Sequence, residues 1–190
     1  MTVEIIEESV AALPEYEKVP IAFRVESHFL VVPIDSGLGG LKFVENPIIP
    51  YIKDYDANEN ERPAQWFKRF DISQWGILSA FNGVKRVGGA AVAWKTPELN
   101  MLEGFEDLVC LWDLRVHPDY RNEGIGHQLF TRALAWSRQR LCRRLKVETQ
   151  NINVPACRFY ARQGCELGGI NRYAYDKTMS EIQLLWYRNV

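Results

Sequence analysis

The hydrophobic rhythm changes twice between Leu108 and Thr149, and those changes are the strongest structural signal in the chain. Leu108–Val116 is apolar at both parities, as a strand covered on both faces requires. Ile125, Leu129, Ala133, Leu134, Trp136 and Leu141 then recur at helical spacings, so residues 124–141 predict an amphipathic helix with one face on a core. Leu145–Thr149 returns to a short strand pattern. A strand, a helix and a strand in that order predict a right-handed crossover with parallel pairing.

Around this unit the pattern is weaker but still directional. Residues 75–81 and 86–94 read as two apolar strands joined at Asn82-Gly83, a pair suited to the positive φ of a tight hairpin. Phe23–Val32 and Leu41–Ile49 read as extended segments around the Gly37, Gly39 and Gly40 turn. The acidic run at residues 54–61 predicts an exposed loop, with a short helix near residues 64–69. Downstream, Asn153 as cap and Pro155 in the first turn open a helix that stops at Gly164. Residues 165–175 and 181–187 predict a closing antiparallel hairpin. Residues 1–18 are acidic, contain Pro14 and lack a period, which predicts a tail or loosely docked segment.

With 190 residues and 47% hydrophobic content, the chain suits one soluble α/β domain over residues 1–190. Its net charge of −1 hides a segregation: residues 1–60 carry 11 acidic and 4 basic side chains, and residues 119–190 carry 6 and 12. An acidic front suits a cationic substrate and a basic back an anionic cofactor, although two solvated faces account for the same split. Arg143, Arg144 and Lys146 form too short a basic cluster to indicate nucleic acid. Four cysteines without CxxC or Cys/His spacing indicate neither a metal site nor a redox dithiol. Glu4, Glu7 and Glu8 stand where a signal peptide would be basic and apolar, and no later run is long enough to span a membrane. A cytoplasmic protein that does not engage membranes is the expectation.

The first strand–helix junction carries the chemistry. Arg121-Asn-Glu-Gly124-Ile-Gly126 joins a buried strand to a helix start, where unpaired N–H groups and the helix dipole favour a phosphate. It lacks the Gly-Lys-Ser/Thr ending of a Walker loop, and Leu129 stands where a dinucleotide fingerprint would have its third glycine.

Together with Asn153-x-x-Ala156-x-x-x-Tyr160-x-x-x-Gly164, this junction resembles the acetyl-CoA-binding core of the GNAT N-acetyltransferases. Val147–Tyr160 and Glu181–Tyr187 resemble the streptothricin acetyltransferases in particular. The resemblance spans residues 75–190 well and implies a GNAT fold, a twisted mixed sheet with splayed central strands flanked by helices. Residues 75–190 would be the acetyl-CoA-binding core, 19–74 an acceptor-side region and 1–18 an acidic N-terminal segment.

The resemblance also implies site residues. Leu114, Arg115 and Val116 would offer strand backbone to the pantetheine arm. Arg121, Asn122, Glu123, Gly124, Ile125, Gly126 and His127 would cradle the pyrophosphate, while Asn153, Ala156 and Tyr160 would meet the cofactor from the second helix. Asn122 replaces a frequent glycine, a mild change because Asn tolerates left-handed backbone. Glu123 replaces a frequent basic residue and removes a favourable charge.

Tyr160 occupies the family position of the acid that protonates the CoA thiolate. A backbone N–H near Leu114–Val116 is the natural oxyanion donor. Asp113 and Glu148 are the candidates for a base or a cation receptor, each equally able to be an ion-pair partner of Arg115 or Arg172. Trp112 stands where the streptothricin group commonly has an acid. Tyr51, Tyr55, Trp66, Trp75 and Tyr173 are aromatic candidates for an acceptor pocket, with core packing as the competing role. Cys157 and Cys165 have no histidine partner, which disfavours a covalent acyl-cysteine route. His28, His117 and His127 form no metal or triad pattern.

The expected activity is direct, metal-independent transfer of acetyl from acetyl-CoA to a primary amine of a small cationic substrate, streptothricin-like antibiotics being the leading class. Acetylation of a protein or peptide is the alternative enzyme, and a CoA-binding sensor without turnover the alternative from another class. The C-terminal hairpin would be the surface of any homodimer.

Overall fold

The computed structural model describes residues 2–175 and 181–190. Among these residues, nine strands divide between a seven-stranded sheet and a two-stranded one. The larger sheet has the order β1 (Glu4–Glu8), β4 (Gly76–Asn82), β5 (Lys85–Ala93), β6 (Leu108–Val116), β7 (Arg144–Gln150), β9 (Gln183–Asn189), β8 (Glu166–Asn171). The smaller one pairs β2 (Phe23–Pro33) with β3 (Leu41–Lys53). Among the described residues, three α-helices accompany them: α1 (Leu13–Tyr16), α2 (Ile125–Gln139) and α3 (Val154–Arg162). No helix among the described residues is long and apolar enough to cross a membrane.

The chain divides into two compact units. One comprises Met1–Ala22, Asp54–Val147 and Tyr187–Val190, and the other Phe23–Lys53 and Glu148–Trp186.

In the first unit β1, β4, β5 and β6 are successive antiparallel neighbours. The parallel pairing of β6 with β7 runs from Leu108↔Arg144 to Cys110↔Lys146, and β6 continues to Val116 alongside β5. The crossover helix α2 buries Ile125, Leu129, Phe130, Ala133, Leu134 and Trp136. Leu141, expected on that face, lies past the helix end at φ +58° and is exposed.

Two features of this unit correct the sequence reading. Residues 1–18 are no tail: β1 forms a sheet edge, and Leu13 and Tyr16 are fully enclosed. The hairpin turn falls on Gly83-Val84, one residue later than Asn82-Gly83, because Asn82 still pairs with Lys85. Gly83 supplies the positive φ of +59°.

Gly89 makes room for Tyr16. A Cβ on that strand residue would meet the Tyr16 ring at 2.2 Å. Tyr16, Trp66 and Trp75 join Leu13, Ile72 and Ile77 in an aromatic-rich core, against which Phe70 and Trp112 pack. Trp66 and Trp75 are therefore core residues, not the lining of an acceptor pocket. Trp112 lies 6.4 Å from Trp66 and 6.0 Å from Trp75 by ring centroids, so the aromatic in place of an acid serves this packing.

In the second unit β2 and β3 pair through ten positions, with an irregularity between Val25 and Ser27. β3 runs on through Pro50 to Lys53, beyond its expected end. Phe29 exchanges hydrogen bonds with Asn151: its N–H donates to the Asn151 carbonyl and its carbonyl accepts from Asn151 Nδ2. Asn153 caps α3 by accepting from the Ala156 N–H at 3.1 Å, and Gly164 at φ +74° follows the helix end, both as expected. β8 stops at Asn171, short of the expected 175.

Candidate active site

The β6–α2 junction bends through two left-handed residues. Asn122 lies at φ +64° and Gly124 at φ +83°, with Gly124 the N-cap of α2. No side chain caps this helix and no acidic residue lies in its first turn. Its opening N–H groups therefore retain the partial positive charge of a 15-residue helix. Ile125 is buried and anchors the turn, whereas Asn122, Glu123 and Gly124 are exposed and Gly126 is half-buried. These properties fit a pyrophosphate, which needs close backbone approach and N–H donors.

Arg121 does not point its charge freely at such a ligand. Its Nε donates to the Val116 carbonyl at 3.0 Å and its Nη2 to the Ala22 carbonyl at 2.8 Å. Burial lowers its pKa. The side chain braces the junction between strand and loop.

Asp113 and Arg115 share one face of β6 and form a buried ionic cluster. Arg115 Nε donates to Asp113 Oδ1 at 2.9 Å and its Nη2 to Oδ2 at 2.8 Å. The same guanidinium reaches Asp56 at 2.7 Å and the Val19 carbonyl at 3.0 Å. Tyr16 Oη adds a 2.6 Å hydrogen bond to Asp113 Oδ1. Burial opposes the Arg115 charge, but the Asp113 carboxylate and Asp56 outweigh it and hold the pKa above its usual value. Burial and the neighbouring Asp113 charge raise the Tyr16 phenol well above its ordinary range.

Arg115 thus has only its backbone left to offer a ligand, and both Asp113 oxygens are committed to a fixed cation. Of the two roles open to Asp113 in the sequence, this geometry is that of the ion-pair partner. Tyr16 and Asp56 were not legible as its companions, since they are 97 and 57 residues away in the chain.

Glu148, at the end of β7, is held differently. Tyr175 Oη donates to its Oε1 at 2.5 Å, Gln150 Nε2 to Oε1 at 3.3 Å, and Gln183 Nε2 to Oε2 at 2.7 Å. All three donors are neutral. Gln150 and Gln183 lie within the two stretches that resemble the streptothricin enzymes, whereas Tyr175, 27 residues from Glu148, carried no signal of its own in the sequence.

On α3, Asn153 and Tyr160 are two turns apart and share a face. The Asn153 side-chain oxygen Oδ1 is used in capping, which leaves its side-chain nitrogen Nδ2 as the donor it can offer. Ala156 is half-buried in the first turn. Tyr160 is buried, with its ring 5.1 Å from Phe159 in an edge contact.

On the same helix, Cys157 is shut in against Thr149 Oγ1 at 3.3 Å. Burial pushes its thiol up to about 11. Cys165 is buried as well. Tyr51 and Tyr173 are exposed and Tyr55 half-buried. Among the described residues, no three His, Cys, Asp or Glu side chains gather as a metal site would.

Comparison with known proteins identifies a family for the chain. Residues 44–165 match the acetyltransferase (GNAT) family. A streptothricin acetyltransferase of Escherichia coli is 28% identical over 177 residues, covering 90% of this chain and 91% of that protein. The crystal structure of nourseothricin acetyltransferase superposes with a TM-score of 0.76 at 22% identity, covering 100% of this chain and 99% of that one. A Bacillus anthracis str. Ames protein solved in complex with acetyl coenzyme A gives a TM-score of 0.78 at 20% identity, with both chains fully covered.

Proposed function

We propose that this chain, which belongs to the acetyltransferase (GNAT) family, moves the acetyl group of acetyl-CoA directly to a primary amine of a small cationic acceptor of the streptothricin kind. The observation that carries the reading is the junction before α2, where left-handed Asn122 and Gly124 lead into an uncapped helix. Backbone donors of Gly124–His127 hold the pyrophosphate there, and Arg121 fixes the loop. Asn122 takes the conformation that a glycine would, so its departure from the commoner loop costs little.

Glu148 takes the proton of the acceptor ammonium, because its charge is not cancelled by a fixed cation, whereas Asp113 is neutralised by Arg115. A lysine-like amine with a pKa near ~10.4 must lose that proton before it can attack. The amine nitrogen then bonds to the thioester carbonyl carbon. A backbone N–H of Leu114–Val116 stabilises the resulting oxyanion, and the carbon–sulfur bond breaks. Tyr160 gives its proton to the departing thiolate and regains one through solvent. The products are the acetamide, free CoA thiol and one proton.

Direct transfer is supported by the state of Cys157, whose raised thiol pKa and enclosure make it a poor acyl carrier. The relatives' names support the acceptor class.

The test is thiol release from acetyl-CoA by the purified protein with streptothricin, aminoglycosides, polyamines and lysine peptides. Turnover with streptothricin or another small polycation is expected. Turnover confined to peptides would reassign the acceptor. Tight CoA binding without release would indicate a sensor.

A further inference from the structure

Several carboxylates of this protein are met by basic side chains, while others, such as Glu17, accept from a backbone N–H. In the same unit as Glu148, Glu45 pairs with Arg158, and Glu181 pairs with Lys53 at 2.5 Å. In the other unit, Asp113 pairs with Arg115. Glu148 is half-buried, so a cation would be the usual way to offset its desolvation. Among the described residues its partners are instead a phenol and two amides, drawn from the end of β7, from the stretch after β8 and from β9.

Three neutral donors fix both oxygens while the full negative charge remains. They also have a direction. Gln150 Nε2 donates to Tyr175 Oη at 2.9 Å. With that acceptor position filled, the phenol proton is turned toward Glu148 Oε1. The amide of Gln183 secures the opposite oxygen. The result is a carboxylate locked in orientation with its charge unspent, which is what recognition of an incoming primary ammonium requires.

We infer that Tyr175, assisted by Gln150 and Gln183, is a positioning residue that holds Glu148 as the receptor for the ammonium group of the acceptor. The inference rests on the transferase reading above and deepens it: charge recognition of the acceptor is assigned to this cluster, and Tyr175 acts through Glu148.

The experiment is a double-mutant cycle of Tyr175→Phe and Glu148→Gln, read by steady-state thiol release. The probe is whichever of streptothricin, spermidine and a lysine peptide the wild-type protein acetylates fastest. Tyr175→Phe removes one hydrogen bond to a charged group. It should lower kcat/KM for the acceptor by roughly 10- to 100-fold, mainly by raising its KM, and leave KM for acetyl-CoA within about twofold. In the Glu148→Gln background the same change should cost less than about twofold, since the group it acts through has lost its charge.

Equal losses in both backgrounds would overturn the inference, as would matching rises in the two KM values; either would mark Tyr175 as a general structural residue. Gln183→Leu, which frees the other oxygen, provides a second cycle with the same expectations if Tyr175→Phe melts early. Thiol release with none of the three probes would instead sink the transferase reading, and this inference with it.

Discussion

Asp113→Asn separates a structural carboxylate from a catalytic one. The substitution keeps the side-chain shape and leaves an acceptor for Tyr16 Oη, but it turns an NH2 group or a neutral oxygen toward the Arg115 fork. Both short bonds from that fork lose their charged acceptor. The Arg115 side chain is 1% exposed, so water cannot take over. Asp56 remains as its one carboxylate, itself largely enclosed. Breaking a buried pair in this way costs about 3–5 kcal/mol. For a chain of 190 residues, each kcal/mol moves Tm by roughly 2–4 °C, so a fall of roughly 6–20 °C is expected in a calorimetric melt. Thiol release at 15 °C, where the variant is still folded, should stay within about tenfold of wild type. Loss of a general base would cost about 10²- to 10⁴-fold instead. Glu148→Gln should show the opposite signature, a large rate loss with a small Tm change. A Tm unchanged for Asp113→Asn, together with a rate loss above a hundredfold, would refute the assignment.

The remaining predictions test neighbouring parts of the same argument. The Tyr16 phenol is raised in the folded state, so the unfolded chain releases this proton first as pH climbs. Its contribution is present below about pH 10 and is lost as pH rises from the ordinary value of 10.0 toward the higher folded one. Denaturant titrations should therefore show a steeper alkaline loss of stability in wild type than in Tyr16→Phe; parallel curves would contradict the shift. Gly89→Ala would drive a methyl group into the Tyr16 ring and toward the Leu78 carbonyl at 3.1 Å. Overpacking of this kind costs about 1–3 kcal/mol, and a neutral result in chemical denaturation would mean that the ring can move. Gly124→Ala has open space around its Cβ but an unfavourable φ of +83°. It should cost about 1–2 kcal/mol in the loop and raise KM for acetyl-CoA while leaving KM for the acceptor unchanged. Cys157→Ala should retain most of the activity, and iodoacetamide should label the native wild-type thiol slowly; rapid labelling that abolishes turnover would revive a covalent route.

What could be read from the sequence divides along physical lines. Elements whose evidence is local were legible: β6 and α2 declare themselves by period, the α3 start by Asn153 and Pro155, and the left-handed loop before α2 by two glycines after a buried strand. The N-terminal segment was not, because β1 is an edge strand rich in glutamates, and Tyr16 gains its place from Trp66, Gly89 and Asp113, far along the chain. The two candidate carboxylates show the same limit more sharply. Asp113 lies between Trp112 and Leu114 and Glu148 between Val147 and Thr149, each on a strand, and no periodicity separates them. What separates them is the charge of the group that folding brings to each: an arginine two residues away on the same strand face, or a tyrosine and a glutamine delivered by later stretches of chain. A residue's chemical role here depends on whether the fold has already neutralised it, and that is a property of tertiary contacts. The residue type itself is silent on the matter.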